Sequence, residues 1–407
     1  MYINRTLEYR LKDISNQFRV VLVTGPRQVG KTTMLQHLAG PERCRVTLDD
    51  PTALRLARED PGTFFQRYTP PVLIDEIQYA PELLTYIKLM VDADGTRGRF
   101  WLTGSQQFHL MKGVSESLAG RIAILNLAAL SAGECAGRAA DCPPFIPGEP
   151  ETDNRILAAP APDLMDVYSK IWRGSMPELI DSPGTERDAF FDAYVQTYIQ
   201  RDVRDLTRVG DEMAFLRFLR AAAARTGTLL NMADMARDTG ISPKTAASWL
   251  SILQTSGLVH LLEPWYLNRT TRLIKAPKLY FLDTGLASYL TDWPTPGTLE
   301  KGALSGPILE TWVVSELLKS FWHNGRKAPM YYLRDKDGIE IDVLIQRGDT
   351  LIPLEIKKTS NPGREDIRHF HHVESTGMKR GPGGVLCLAR QAMPLGENTW
   401  SIPITAI

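Results

Sequence analysis

Cysteine is scarce: Cys44, Cys135, Cys142 and Cys387 are scattered, with no CxxC pair among them. That spacing fits neither a disulfide framework nor a zinc ribbon, so reduced cysteines in a cytoplasmic protein are expected. Net charge is missing too, because 47 Lys plus Arg balance 47 Asp plus Glu. Bulk charge therefore argues for neither nucleic acid nor membrane, and any basic surface must be local. No apolar run approaches the ~18 residues that a membrane helix needs. Residues Met1 to Glu8 mix charges and lack the apolar stretch of a signal peptide. What is present is the composition of a globular chain, 43% hydrophobic and 23% charged over 407 residues. That length allows about two to three domains.

Short apolar runs alternate with helical stretches through the first third of the chain. Phe18–Val23, Arg45–Leu48, Pro71–Ile74, Phe100–Thr103 and Ile122–Leu127 read as strands. Helices are predicted near 6–16, Lys31–Leu38, Pro51–Glu59 and Glu82–Val91. Continuous apolar strands alternating with helices indicate a parallel sheet covered on both faces. Residues 137–163 carry Pro143, Pro144, Pro147, Pro150, Pro160 and Pro162 and read as an irregular linker.

Gly25-Pro26-Arg27-Gln28-Val29-Gly30-Lys31-Thr32 matches G-x-x-x-x-G-K-[ST] in full and lies between a predicted strand and helix. Gly25 and Gly30 let backbone N–H groups close on phosphates, and the helix begun by Lys31 adds its positive end. Lys31 is expected to reach the β- and γ-phosphates, Thr32 to give its hydroxyl to magnesium, and Thr33 to continue the cradle. Val72–Glu76 ends a buried strand on two carboxylates. Asp75 would hold magnesium through water and Glu76 would orient or deprotonate the attacking water; alone, such a pair could also cap the next helix. Thr103 or Ser105, ending the following strand, could hold the lytic water, or merely form a turn. Arg121 is a candidate arginine finger across a subunit interface, or a surface salt-bridge residue.

Leu102-Thr-Gly-Ser105, Ser117–Glu134 (SLAGRIAILNLAALSAGE), Asp49–Phe65 (DDPTALRLAREDPGTFF), Leu73–Lys88 (LIDEIQYAPELLTYIK) and Tyr198–Leu206 (YIQRDVRDL) carry a further signal. With them the chain resembles the bacterial and archaeal AAA+ superfamily ATPases that bear a C-terminal domain of unknown function. The resemblance covers nearly the whole chain and implies ATP and Mg2+ as cofactors.

Arg201 and Arg204 share a helix face in a helical lid, where they could contact nucleotide or pair with Asp202 and Asp205. Residues 228–264 read as a winged helix-turn-helix: a helix from Met232 to Arg237, a turn at Gly240, Ser242-Pro243 starting a second helix to about Thr255, and a wing from Leu258. That second helix could enter a major groove or pack against protein, since Lys244, Thr245 and Ser248 are only weakly basic and Trp249 reads as core. Arg269, Arg272, Lys275 and Lys278 could track phosphates or form a solvated loop.

At the C-terminus, Ile339–Ile345 and Leu354–Lys357 alternate, placing Glu340, Asp342 and Leu344 on one face and Glu355 with Lys357 on another strand's face. Turns at Asp337-Gly338 and Gly348-Asp349 make these strands antiparallel neighbours. Asp342, Glu355-x-Lys357 and an upstream helical Glu310 resemble the PD-(D/E)xK nuclease fold, with helix, three strands, helix and strand in order; Ile341 stands where a proline is usual. The resemblance implies that Glu310, Asp342 and Glu355 hold magnesium and that Lys357 activates water. Solvent-facing alternation is the competing reading. His369, His371 and His372, expected on the next helix, read as a surface cluster. The expected fold is thus α/β: a P-loop parallel sheet of AAA+ type, a helical lid with a winged helix-turn-helix, and a C-terminal α/β restriction-endonuclease-like domain. The expected units are 1–136 (P-loop ATPase), 137–225 (linker and lid), 226–300 (winged helix and connector) and 301–407 (nuclease-like). Two functions fit: a magnesium-dependent ATPase coupled to a module that binds or cleaves DNA, or a nucleotide-driven signalling or scaffolding switch like the STAND ATPases. Candidate partners are DNA, a second copy of the chain or another protein; no membrane contact is expected.

Overall fold

The computed structural model describes residues 2–104, 118–198, 211–266, 276–335 and 338–407. Ser105, Arg201, Arg204, Arg269, Arg272, Lys275 and Asp337 lie outside the described residues.

The first sheet contains β1 (Val20–Thr24), β2 (Cys44–Thr47), β3 (Val72–Asp75), β4 (Phe100–Gly104) and β5 (Ile122–Asn126), all parallel, in the order β2-β3-β4-β1-β5. In β1, Val21 and Val23 pack with helices Leu7–Ser15 and Lys31–Leu38. Its Val20 and Leu22 face the opposite layer, built from helices Pro51–Glu59, Pro61–Arg67 and Leu83–Ala93. Two of those helices start as local chemistry dictates, with Asp50 and Asp60 accepting the Thr52 and Thr63 N–H groups and proline at the first helical position. The expected irregular linker holds a helix, Pro150–Leu157, because Pro150 stands at its N-terminus, where a missing N–H costs nothing.

Helices Leu164–Arg173, Pro177–Asp181, Arg187–Tyr198 and Glu212–Ala223 follow. Helices Met232–Thr239 and Pro243–Thr255 then meet at Gly240, which takes φ 70° as the turn requires, and Ser242 caps the second. Trp249 packs edge-on against Phe215 and Phe218, as core. A small antiparallel sheet of β6 (Thr228–Leu229), β7 (Val259–Leu262) and β8 (Lys278–Phe281), in the order β6-β8-β7, closes this unit.

Helix Ser305–Trp322 leads into the C-terminal sheet. It contains β9 (Met330–Arg334), β10 (Glu340–Arg347), β11 (Thr350–Ile356), β12 (Lys379–Arg380), β13 (Gly383–Cys387), β14 (Met393–Gly396) and β15 (Thr399–Pro403). The order is β14-β15-β13-β11-β10-β9, with β12 beside β11. β9, β10 and β11 are antiparallel as expected, whereas β11, β13 and β15 are parallel. Two expectations are corrected. The helix after the three strands shrinks to a 3-10 turn, Arg364–Ile367, and one α turn, His372–Ser375, so His369 and His371 precede the helix. A β-bulge between Ile341 and Leu344 inserts one extra residue in β10 relative to β9. Leu344 therefore joins Ile341 in one apolar cluster while Val343 and Ile345 join another, and Leu344 leaves the face expected for Glu340 and Asp342.

One apolar core runs from Leu7 through the middle helices to Ile407, so the units share an interior. Among the described residues, no helix is long and apolar enough to cross a membrane.

Candidate functional site

The turn between β1 and helix Lys31–Leu38 is shaped by two glycines. Gly25 sits at φ +152°, and a Cβ there would lie 1.9 Å from the Leu127 carbonyl oxygen. Gly30 sits at φ +89° at the helix start. Between them Gln28 also takes a left-handed conformation, φ 61°. Gly25→Ala is expected to push β5 off β1 and open the turn, costing more than the ~1 kcal/mol of an ordinary glycine replacement. A fluorescent-nucleotide titration beside a urea melt checks this, with both affinity and midpoint falling.

The Lys31 ammonium donates to the Gly25 and Pro26 carbonyls at 3.0 and 2.6 Å, so the turn holds its own cation over the cradle. Thr32 Oγ1 donates to Asp75 Oδ1 at 2.6 Å, and Thr103 Oγ1 donates to the same oxygen at 2.5 Å. Thr103 Oγ1 also accepts the Glu76 N–H at 2.9 Å. Glu76 itself leaves the strand at φ 57°, with Gln78 Nε2 bonded to its carboxylate. The P-loop hydroxyl, both carboxylate residues and Thr103 thus form one hydrogen-bonded line across the ends of β3 and β4. A hydroxyl beside a carboxylate is a hard-oxygen donor set of the kind magnesium prefers, so Thr32 and Asp75 fit that ion.

A cleft of about 620 Å³ opens over this line, bounded by Arg27, Gln28, Lys31, Thr32 and Glu76 on one side. Its far wall is Pro177, Glu178, Phe190 and Thr197 from the middle helices, which sequence reasoning missed. An adjoining hollow of about 330 Å³ is bounded by Tyr2, Ile3, Arg5, Thr33 and Pro177, with Tyr2 stacked on His37 at 4.0 Å. Apart from Thr33, which continues the cradle, these wall residues come from distant segments and carry no motif; only the fold assembles them. The middle unit also touches the cradle directly, since a Cβ on Gly257 would meet the Pro26 ring at 2.8 Å. Arg121 is not part of the cleft wall. It forms a two-pronged pair with Asp92, at 2.5 and 3.0 Å on the surface.

The second cluster lies at the C-terminal unit. Glu310, Glu340, Asp342, Glu355 and Lys357 are brought together, and Lys278 from β8 enters their midst. Lys357 pairs with Glu355 at 2.8 Å, and Asp342 accepts the Ile356 N–H at 2.9 Å. Burial and the neighbouring Asp342 carboxylate push Glu355 up to about 9. Burial works the same way on Asp342, but Lys278, the hydrogen bond with Glu355, Lys357 and the Ile356 N–H together outweigh it and hold that carboxyl below its usual range. Among the described residues, no group of three or more His, Cys, Asp or Glu side chains is disposed to hold a metal ion. His371 lies against His372, with ring centroids 4.0 Å apart and the rings tilted by 40°.

Residues 17–136 match a family model described as an AAA domain, residues 165–297 a domain of unknown function (DUF8612), and residues 305–407 another domain of unknown function (DUF4143). The chain is 30% identical to the uncharacterized protein Rv2008c of Mycobacterium tuberculosis over 359 residues, which is 87% of this chain and 73% of that protein. Among solved structures, the RuvB Holliday junction branch migration motor of Thermotoga maritima aligns at 16% identity and a TM-score of 0.30, over 63% of this chain and 89% of that one. A STAND signal-transduction ATPase with a tetratricopeptide repeat sensor, from Pyrococcus horikoshii, aligns at 12% identity and a TM-score of 0.25, over 79% and 47% of the two chains.

Proposed function

We propose, from the premise that this chain belongs to the AAA-domain P-loop ATPases with a C-terminal domain of unknown function, that it is a magnesium-dependent ATP hydrolase working as a nucleotide-driven switch. The observation that carries the reading is the line Thr32–Asp75–Thr103–Glu76, whose two ends, Thr32 and Glu76, border a cleft with its far wall from the middle helices. The N–H groups of 25–32 would receive the β- and γ-phosphates, and the Lys31 donors would turn from the Gly25 and Pro26 carbonyls to phosphate oxygens. Thr32 and Asp75 would hold a magnesium ion, which would neutralise charge on the triphosphate. Glu76 would orient and deprotonate water, its backbone fixed by Thr103. The hollow at Tyr2, Ile3 and Thr33 would take the base, with the Tyr2 ring, itself stacked on His37, at its wall. Contact of Pro177 and Phe190 with the bound nucleotide, and of Gly257 with Pro26, would pass the nucleotide state to the middle unit.

A second reading, DNA binding, is favoured by the helix-turn-helix order with a three-stranded sheet behind it, a winged-helix arrangement with Lys244 and Ser248 exposed on the second helix. In that reading Asp342, Glu355 and Lys357 would grip or cut a phosphodiester backbone, and a second copy would bring Arg121 to a neighbour's cleft after release from Asp92. ATP turnover measured with and without duplex DNA separates the two. The switch reading expects magnesium-dependent turnover that DNA leaves unchanged, with an ATP-dependent change in oligomeric state by light scattering. DNA-stimulated turnover, or plasmid cleavage abolished by Asp342→Ala, would replace the switch with the DNA reading.

A further inference from the structure

Gln78 stands two residues after Glu76, a spacing at which side chains on a regular helix do not face each other. They meet because Glu76 leaves β3 in a left-handed backbone, φ 57°, and the chain then tightens into the 3-10 turn Ile77–Tyr79. A non-glycine residue at positive φ is uncommon, and such outliers gather where function holds them in place. The turn is anchored at three points. Ile77 is fully buried in the apolar layer under helices Pro51–Glu59 and Leu83–Ala93. The Tyr79 N–H donates to the Glu76 carbonyl at 3.1 Å, and Arg58 Nε donates to the Tyr79 carbonyl at 2.8 Å. From this fixed turn the Gln78 side-chain amide donates to Glu76 Oε2. Among the described residues that border the cleft, Glu76 is present and Gln78 is not.

We infer that Gln78 is a positioning residue for the Glu76 carboxylate, an inference that rests on the reading of Glu76 as the group that activates water. Thr103 holds the Glu76 backbone through its N–H at 2.9 Å, but a backbone bond does not set the side-chain torsions. The Gln78 amide sets them, because a carboxylate oxygen bonded from a rigid turn fixes the direction of the whole group. In the hydrolytic step the water proton passes to Glu76, the water oxygen bonds the γ-phosphorus, and the β,γ-bridging oxygen leaves with ADP. That transfer needs donor and acceptor within hydrogen-bond reach, and a misplacement of about 1 Å costs on the order of 10²-fold. A glutamine that only capped the turn would act on stability instead, so kinetics separates the two roles.

The test measures magnesium-dependent ATP hydrolysis by the full chain for wild type, Gln78→Met, Gln78→Glu, Glu76→Gln and the Glu76→Gln/Gln78→Met double variant. Gln78→Met keeps the length and loses the donor; kcat is expected to fall about 10- to 100-fold with KM unchanged. Gln78→Glu keeps the shape, cannot donate when ionised and sets a like charge beside Glu76, so its loss should be at least as large. In the Glu76→Gln background, Gln78→Met should leave the residual rate where it is, because the two side chains act as one unit. Wild-type kcat in either single Gln78 variant, or an equal fold-loss in the Glu76→Gln background, would overturn the positioning role while Glu76 kept its own. A Glu76→Gln chain that turns over at the wild-type rate would instead overturn the reading of Glu76, and this inference with it. Urea melts confirm that each variant is folded; should Gln78→Met fail to fold, Gln78→Glu carries both comparisons in its place.

Discussion

Glu76→Gln is expected to leave ATP binding intact and to lower turnover by about 10²–10⁴-fold, the range that a positioned general base contributes. The geometry makes this substitution clean. The Glu76 N–H is fixed by Thr103 at 2.9 Å and the residue takes a left-handed backbone, neither of which depends on the carboxylate. A glutamine keeps the shape of the side chain and loses only the charge and basicity. Lys31→Ala is the contrasting case. Its ammonium spans the Gly25 and Pro26 carbonyls, so its loss removes a cation that the turn holds over the cradle and loosens the turn itself. It should abolish nucleotide binding as well as turnover. Equilibrium binding of a labelled nucleotide, measured beside phosphate release, tells the two apart: a Glu76→Gln chain that turns over at the wild-type rate would remove Glu76 from the mechanism.

How much of this was readable in advance follows from range in sequence. The parallel sheet was legible because its three central strands are buried on both faces and so appear as unbroken apolar runs, as Val20–Val23 and Val72–Ile74 do. The cradle was legible because its residues are consecutive. Thr103 was legible as the strand end beside the Asp75 strand, although its two hydrogen bonds, to Asp75 and from Glu76, were not. Tyr2, Pro177 and Phe190 could not be found, since no local pattern marks a residue that lines a cleft from another unit. The same limit hid Lys278, which pairs with carboxylates 32, 62 and 64 positions away, at Glu310, Glu340 and Asp342. The bulge that turns Leu344 away from Asp342 was invisible because alternation assumes an unbroken register. Prolines misled once, at Pro150, where a helix start was read as a linker.

Range also hid the residue on which the joint between the first and last units turns, and its loss carries the largest expected stability effect. Glu134 is fully buried and accepts the Thr6 N–H and the Ser131 N–H, each at 2.8 Å. Arg5 Nε lies 3.2 Å and His323 Nδ1 3.1 Å from its two oxygens. Arg5 in turn donates to the Val29 carbonyl in the cradle, at 2.8 Å, and to Ala128 at 2.7 Å. His323 follows the end of helix Ser305–Trp322, the helix that also carries Glu310, so one carboxylate ties the cradle to the C-terminal unit. Burial alone would push the Glu134 carboxyl up; His323, Arg5 and the donated N–H groups outweigh it and hold it well below the usual carboxylate range. A group whose folded pKa is depressed stabilises the fold above its unfolded pKa, near 4.5 here, and loses that contribution as pH falls toward the folded value. Wild type should therefore lose stability below about pH 4.5 through this carboxylate, and Glu134→Gln should lose it at neutral pH and be less sensitive to acid. Removing one partner of a buried charged set costs about 3–5 kcal/mol, because Arg5 is left without its anion. Urea melts of wild type, Arg5→Met, Glu134→Gln and the double variant across pH 3–7 test this. The double variant should lie closer to wild type than the sum of the single losses, since it leaves no buried guanidinium without its anion. Additive losses would mean that Arg5 and Glu134 act separately, and that the joint between cradle and C-terminal helix rests on packing alone.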